Sequence, residues 1–183
     1  MAERLRPAGN RRFVRRRDVS MLARKISRSK WASKPYLKPD AIRADAVTNC
    51  LKTTDDRLSL WRCENDQQDV DQVFLALATG SRISKIDTMH IVVLPEKELE
   101  EAGLTTENKG GDTAVQDLKS RHVDLVCLDL DKLGTLARML ASRIRNCQVV
   151  ARTKKQIQTL VREAVSARRV QPDELSPELR NEL

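Results

Sequence analysis

The sequence predicts an α/β domain: a small, mostly parallel sheet of about four strands flanked by helices, carrying a basic N-terminal arm. Three observations predict it. Short apolar segments with strand spacing alternate along the chain with apolar stripes at helical spacing. The connections between them are short, which for alternating strands and helices favours a parallel sheet with helical crossovers. The cationic residues crowd toward one end, between Met1 and Lys30.

The arm comes first. The 183 residues include 34 Lys or Arg and 26 Asp or Glu, a formal net charge of +8. Residues 1–30 hold eleven of the basic residues against only Glu3 and Asp18, so this segment carries +9 and the remainder is nearly neutral. Guanidinium stays ionised and presents a planar fork to phosphate oxygens. Arg11, Arg12, Arg15, Arg16 and Arg17, with Arg24 and Lys25 behind them, are therefore the candidate polyanion-binding residues. Electrostatic anchoring of this kind releases counterions and reads no bases. Trp31 is expected to anchor the arm where it joins the domain.

Residues 31–40 hold Pro35 and Pro39 and read as an extended connector. The domain itself is expected over 41–170. Asp40 is placed to cap a helix from Ala41 to about Leu51, and Thr53 to Asp56 form a turn. Leu58 to Cys63 alternates and reads as a strand, possible also as an antiparallel edge. Val70, Val73, Phe74 and Leu77 mark a helix from Asp69 to about Thr79, with Gly80 suited to end it. Met89 to Leu94 is nearly unbroken apolar sequence closed by Pro95, the pattern of a strand buried on both faces.

Glu96 to Ala102 reads as a short helix ending at Gly103, and Thr105 to Thr113 as a loop. Ala114 to Ser120 is a short helix. Val123 to Leu130 is a second central strand, followed by a helix marked by Leu133, Leu136, Leu140 and Ile144. Cys147 to Ala151 is the last strand. Thr153 and Gln156 have the spacing of a capping box, ahead of a stripe of Ile157, Leu160, Val161, Ala164 and Val165. Pro172 stops that helix, and 171–183 reads as a charged tail.

The residues that could carry chemistry are few. Cys50, Cys63, Cys127 and Cys147 form no C-x-x-C pair, and neither His90 nor His122 completes a zinc spacing, so reduced structural thiols and no metal are expected. His90, inside a buried strand, reads as structural; His122, beside Arg121 and Asp124, reads as exposed. The adjacent Gly110 and Gly111 offer a possible anion-binding nest, but the loop lacks phosphate-loop spacing and an ordinary turn explains it. No G-x-S-x-G elbow is present. Aromatic residues are 3%, too few for a platform on which single-stranded bases stack.

Asp129 and Asp131 close an apolar strand and precede a helix. The run from Leu125 to Thr135 resembles the nucleophile motif of the haloacid dehalogenase family, in which the first Asp attacks phosphate and the second acts as acid and base. The resemblance covers only some eleven residues. Lys132 and Leu133 stand between the second Asp and the Gly-Thr pair that follows it directly in that family, and the motif falls late in the chain. The simpler reading makes Asp131 the cap of the following helix.

No apolar run approaches the ~20 residues that span a bilayer, and no apolar stretch backs the N-terminal charge as in a secretory signal. A cytoplasmic protein without a cofactor is expected, working as part of a larger complex. The leading functional expectation is a non-catalytic accessory or assembly subunit, anchored to a nucleic-acid backbone or an acidic partner by its Arg-rich arm. Two alternatives stand beside it. One is a phosphate-directed enzyme with Asp129, Asp131 and Arg152 at the strand C-termini; the other is a purely structural protein-interaction module. The basic residues of the last helix, Lys154, Lys155, Arg162, Arg168 and Arg169, either extend the arm's surface or are an ordinary solvated face.

Overall fold

A computed structural model describes residues 20–183 apart from 36, 39 and 65. Arg11, Arg12, Arg15, Arg16 and Arg17 lie outside the described residues. In chain order the elements are β1 (Met21–Ile26), α1 (Arg28–Trp31), α2 (Ala44–Cys50), β2 (Leu58–Cys63), α3 (Gln67–Ala78), β3 (Met89–Pro95), α4 (Glu96–Glu101), β4 (Thr105–Asn108), β5 (His122–Val126), α5 (Leu130–Arg145), β6 (Val149–Arg152), α6 (Lys154–Ser166) and α7 (Pro177–Glu182). Short 3-10 turns occupy Gln116–Arg121 and Pro172–Glu174.

The expected sheet is corrected in both size and direction. It has six strands in the order β4-β5-β2-β1-β3-β6, and every neighbouring pair is antiparallel. The reason lies in adjacency. Strands β2 and β3 are both antiparallel to β1, so they run in the same direction, as a strand–helix–strand unit requires. They are not neighbours, because β1 lies between them. Likewise β5 and β6, joined through α5, share a direction but lie four places apart. Across the connection from β3 to β5 the direction reverses, so the four expected strands are neither all parallel nor adjacent as parallel pairs.

Two strands account for the missing pair. Met21–Ile26 falls within the expected arm because its charge counts with the arginines ahead of it, yet it is the central strand, bonded on both sides. Thr105–Asn108, expected as loop, forms the β4 edge against β5. Its Thr-Thr-Glu-Asn sequence has no apolar face because a polar, largely exposed edge strand needs none.

Strand alternation divides the core cleanly. Met21, Ala23, Trp61, Cys63, Met89 and Ile91 face one layer, where they meet Val70, Val73 and Phe74 of α3, Ile157, Val161 and Ala164 of α6, and Leu179 of α7. Leu22, Ile26, Leu58, Leu60, Val92, Leu94, Val123 and Leu125 face the other, against Leu99 of α4 and Leu136, Ala137 and Leu140 of α5. The result is a sheet between two helical layers. Residues 171–183 contribute Leu175 and Leu179 to the first layer rather than trailing as a tail.

The helix starts follow from their caps. Asp66 accepts from the Asp69 N–H at 2.8 Å and opens α3 two residues before the expected position. Asp129, not Asp131, caps α5, accepting from the Lys132 N–H at 2.8 Å. The Thr153–Gln156 capping box of α6 is present with both reciprocal bonds. α2 begins at Ala44, behind Arg43 rather than Asp40. None of the helices among the described residues is long and apolar enough to cross a membrane.

Candidate functional site

The ladder between the two central strands β1 and β2 is short. It pairs Met21 with Cys63, Leu22 with Arg62 and Ala23 with Trp61, then stops. Beyond that point β1 continues against β3 as far as Ile26–His90, while β2 continues against β5 as far as Leu58–Leu125. The sheet therefore parts in its middle. Parting strands leave backbone carbonyls without ladder partners, and buried carbonyls need donors.

Arg24 donates to one such carbonyl in β2 and to another at the end of α2. Its Nη1 donates to the Ser59 carbonyl at 2.6 Å, and its Nε and Nη2 donate to the Cys50 carbonyl at 2.9 and 2.6 Å. These partners are neutral oxygens. Among the described residues no carboxylate forms an ion pair with Arg24. Burial pushes its pKa down to about 10, with the Cys50 thiol opposing, and it remains a cation at neutral pH. Arg24 is thus a structural plug in the sheet, and Lys25 points to the opposite face with its side chain exposed. The structure places neither in a free arm.

A cleft of about 340 Å³ opens over this split, lined by Arg24, Lys52, Thr54, Asp55, Arg57, Ser59, Lys109 and Asp124. Its rim is a tight turn. Thr54 and Arg57 exchange backbone hydrogen bonds of 3.2 and 3.1 Å, and Asp55 and Asp56 between them have φ of 53° and 55°. Two consecutive left-handed residues make a two-residue hairpin of the primed kind, a conformation Asp tolerates better than most. The turn aims Arg57 at the cleft.

At the centre lies Asp124, 3% exposed. Its Oδ1 accepts the Ser59 hydroxyl at 3.2 Å. Its Oδ2 lies 3.8 Å from Arg57 and 3.7 Å from Lys109, close enough for Coulomb attraction but beyond hydrogen-bond reach. Arg57 also pairs with Glu107 at 2.8 Å. Lys52 is exposed and forms no ion pair among the described residues. The lining carries four cations against Asp55 and Asp124.

His122 sits beneath the cleft and is buried, contrary to expectation. Its ring meets Trp61 edge-on at 5.1 Å, and Nδ1 lies 3.0 Å from the Lys109 carbonyl. Ser59, Asp124 and His122 are neighbours, yet the serine hydroxyl is bonded to the carboxylate rather than the imidazole, so the order of a serine–histidine–aspartate relay is not present.

The Gly110–Gly111 segment is not an open nest. The Lys109 N–H donates to the His122 carbonyl and the Gly111 N–H to the Lys119 carbonyl, so these amides are spent on the protein. Asp112 binds Ser81, and the Thr113 hydroxyl lies 2.8 Å from that of Thr79 in the interior.

The residues of the enzyme alternative are not brought together. Asp129 follows β5 and Arg152 ends β6, four strand spacings away, or roughly 19 Å at ~4.8 Å per strand. Asp129 is engaged as a helix cap, and Arg152 is held by Asp71 at 2.6 Å and lies over the Phe74 ring. The resemblance to the haloacid dehalogenase motif thus rests on a cap, in an all-antiparallel sheet. Of the basic residues in and just after α6, three are paired within the molecule as well: Lys154 with Glu182, Arg162 with the Leu183 carbonyl, and Arg169 with Asp117.

Sequence reasoning does not bring Lys52, Arg57, Lys109 and Asp124 together: Lys109 figures only beside the glycine pair and Asp124 only beside His122, and Lys52 and Arg57 are missed. They are spread over more than seventy positions and share no motif; only the pairing of β2 with β5 and β4 with β5 assembles them. Cys50 and Cys63 are buried, while Cys127 and Cys147 are exposed. Burial, aided by Asp69, pushes the Cys63 thiol up to about 12, so it is protonated and inert. No protein-family model, no curated protein and no solved structure matches this chain.

Proposed function

We propose that this chain is a non-catalytic accessory or assembly subunit that anchors to the sugar-phosphate backbone of a nucleic acid through Arg11, Arg12, Arg15, Arg16 and Arg17. The observation that carries this reading is the charge of residues 1–19: seven arginines against Glu3 and Asp18, giving +5 of the chain's +8. Five of those arginines fall within seven positions. Such density suits phosphates spaced along a polymer and gives affinity without sequence readout. The folded part does not oppose it, because the described domain carries the other +3. A cytoplasmic location and membership of a larger complex belong to the same proposal.

The test keeps the full chain and replaces those five arginines with glutamine. Binding of duplex DNA and of duplex RNA is measured across a salt series. The native protein is expected to lose affinity steeply with salt. The variant is expected to bind weakly, with a logarithmic slope shallower by about 4.5, since each of the five phosphate contacts contributes ~0.9. Equal slopes for the two proteins overturn the reading. Absence of nucleic-acid binding by the native protein, together with co-purification of an acidic protein, transfers the arm to a protein partner.

A further inference from the structure

The cleft over the parted strands has the chemistry of an anion site, and its shape narrows the class of anion. The split beneath it narrows toward Ala23–Trp61, where β1 and β2 pair again, and the Arg24 guanidinium fills the split next to that point. A continuous backbone needs a groove open at both ends. A crevice that narrows to one side suits a group that ends.

The charges agree. Arg24, Lys52, Arg57 and Lys109 face Asp55 and Asp124, and Glu107 holds Arg57 at 2.8 Å, which leaves one positive charge over and leaves Lys52 and Lys109 hydrogen-bonded to no carboxylate among the described residues. Arg57 and Lys109 are drawn toward Asp124 but stop at 3.8 and 3.7 Å, short of hydrogen bonding it, so Lys109 keeps its donors for another acceptor. Asp124 in this arrangement holds two cations near one another that would otherwise separate. A phosphate monoester carries up to two negative charges and three terminal oxygens; a phosphodiester carries one charge and two such oxygens.

We infer that this cleft binds the terminal phosphate monoester of a nucleic-acid strand, with Lys52 and Lys109 as its donors and the Arg24 cation as its electrostatic floor. The inference rests on the nucleic-acid reading for its source and on the cleft alone for its chemistry. The arm supplies affinity for any backbone; the cleft adds a preference for an end.

The experiment compares a short DNA duplex bearing 5′-phosphates with the same duplex bearing 5′-hydroxyls, and titrates a nucleoside monophosphate and inorganic phosphate separately. The proteins are the full native chain and a full-length Lys52→Gln/Lys109→Gln variant. Both lysines are exposed, Lys109 with 59% of its side chain accessible, so the double variant is expected to melt like the native protein. The native chain should prefer phosphorylated ends by about tenfold, the effect of one or two charge-assisted hydrogen bonds. The variant should bind both duplexes alike.

Equal binding of the two duplexes by the native chain overturns the inference and leaves the arm reading standing. A preference that survives in the variant overturns the assignment to this cleft. Binding of the monophosphate or inorganic phosphate that the lysine changes abolish, in a protein that ignores both duplexes, upholds the phosphate site and overturns its nucleic-acid source and the arm reading together.

Discussion

Gly111 shows how a single residue holds the floor of the cleft in place. A Cβ built there would lie 2.5 Å from the Trp61 ring and 2.8 Å from the His122 Cβ, whereas one at Gly110 would meet nothing within 4 Å. The need is for close approach. The backbone leaving Lys109 must lie flat on the Trp61–His122 pair so that its amides reach the His122 and Lys119 carbonyls. Gly111→Ala is therefore expected to destabilise by about 1–3 kcal/mol, the usual cost of forcing atoms into a packed core. Gly110→Ala should stay within about 0.5 kcal/mol of native. Urea denaturation of both variants measures the difference, and equal midpoints would refute the close-packing account. The paired glycines were visible in the sequence, but which of them was needed was not. The deciding neighbours, Trp61 and His122, are about fifty and eleven positions away.

Among the elements, Glu96 at the start of α4 gathers several strands at the end of the sheet opposite the cleft. Its carboxylate accepts from Arg62 of β2 at 3.0 Å, from the Ser20 hydroxyl ahead of β1 at 2.6 Å and from Thr106 of β4 at 3.4 Å. Its own N–H donates to the Ser20 carbonyl. Burial pushes its pKa up, but these hydrogen bonds and the Arg62 charge outweigh burial and hold it below the usual value of 4.5. A carboxylate depressed in the folded state contributes stability that is complete above its unfolded pKa and fades as pH falls through the folded one. The fading accordingly begins near pH 4.5 and continues below it. Glu96→Gln should lower stability at neutral pH by ~1 kcal/mol and flatten the acid limb of the stability–pH curve. Parallel curves for the two proteins between pH 5 and 3 would refute this role. The elements themselves were legible to different degrees. Leu58–Cys63 and the capping box of α6 follow directly from alternation and spacing. β4 carried no apolar signal, and β1 carried a conflicting one, because Arg24 is there to plug a split that exists only once three strands have assembled.

At the level of the whole molecule, that same misassignment moves the boundary between arm and fold. Counting 1–30 as arm leaves a nearly neutral domain. Counting β1 into the fold returns Arg24, Lys25, Arg28 and Lys30 to it, so that +5 precedes the described domain and +3 belongs to it. The charge is divided between two cationic features, and among the described residues contacts with the fold are already made at Ser20, well before Lys30. Truncation separates the two boundaries. Deleting residues 1–18 is expected to leave a cooperative unfolding transition near the native midpoint while removing most salt-dependent binding to nucleic acid. Deleting residues 1–30 also removes the strand that joins the β4-β5-β2 half of the sheet to the β3-β6 half. It takes with it the burial of Met21, Leu22 and Ile26, worth about 1.5–3 kcal/mol each, against a total stability of about 5–15 kcal/mol for a typical domain. With neither half able to cover its exposed edge, the longer deletion should show no cooperative melt by circular dichroism. A cooperative transition in that protein would mean that β2 and β3 can close on each other without β1, and the central-strand account of the fold would fail.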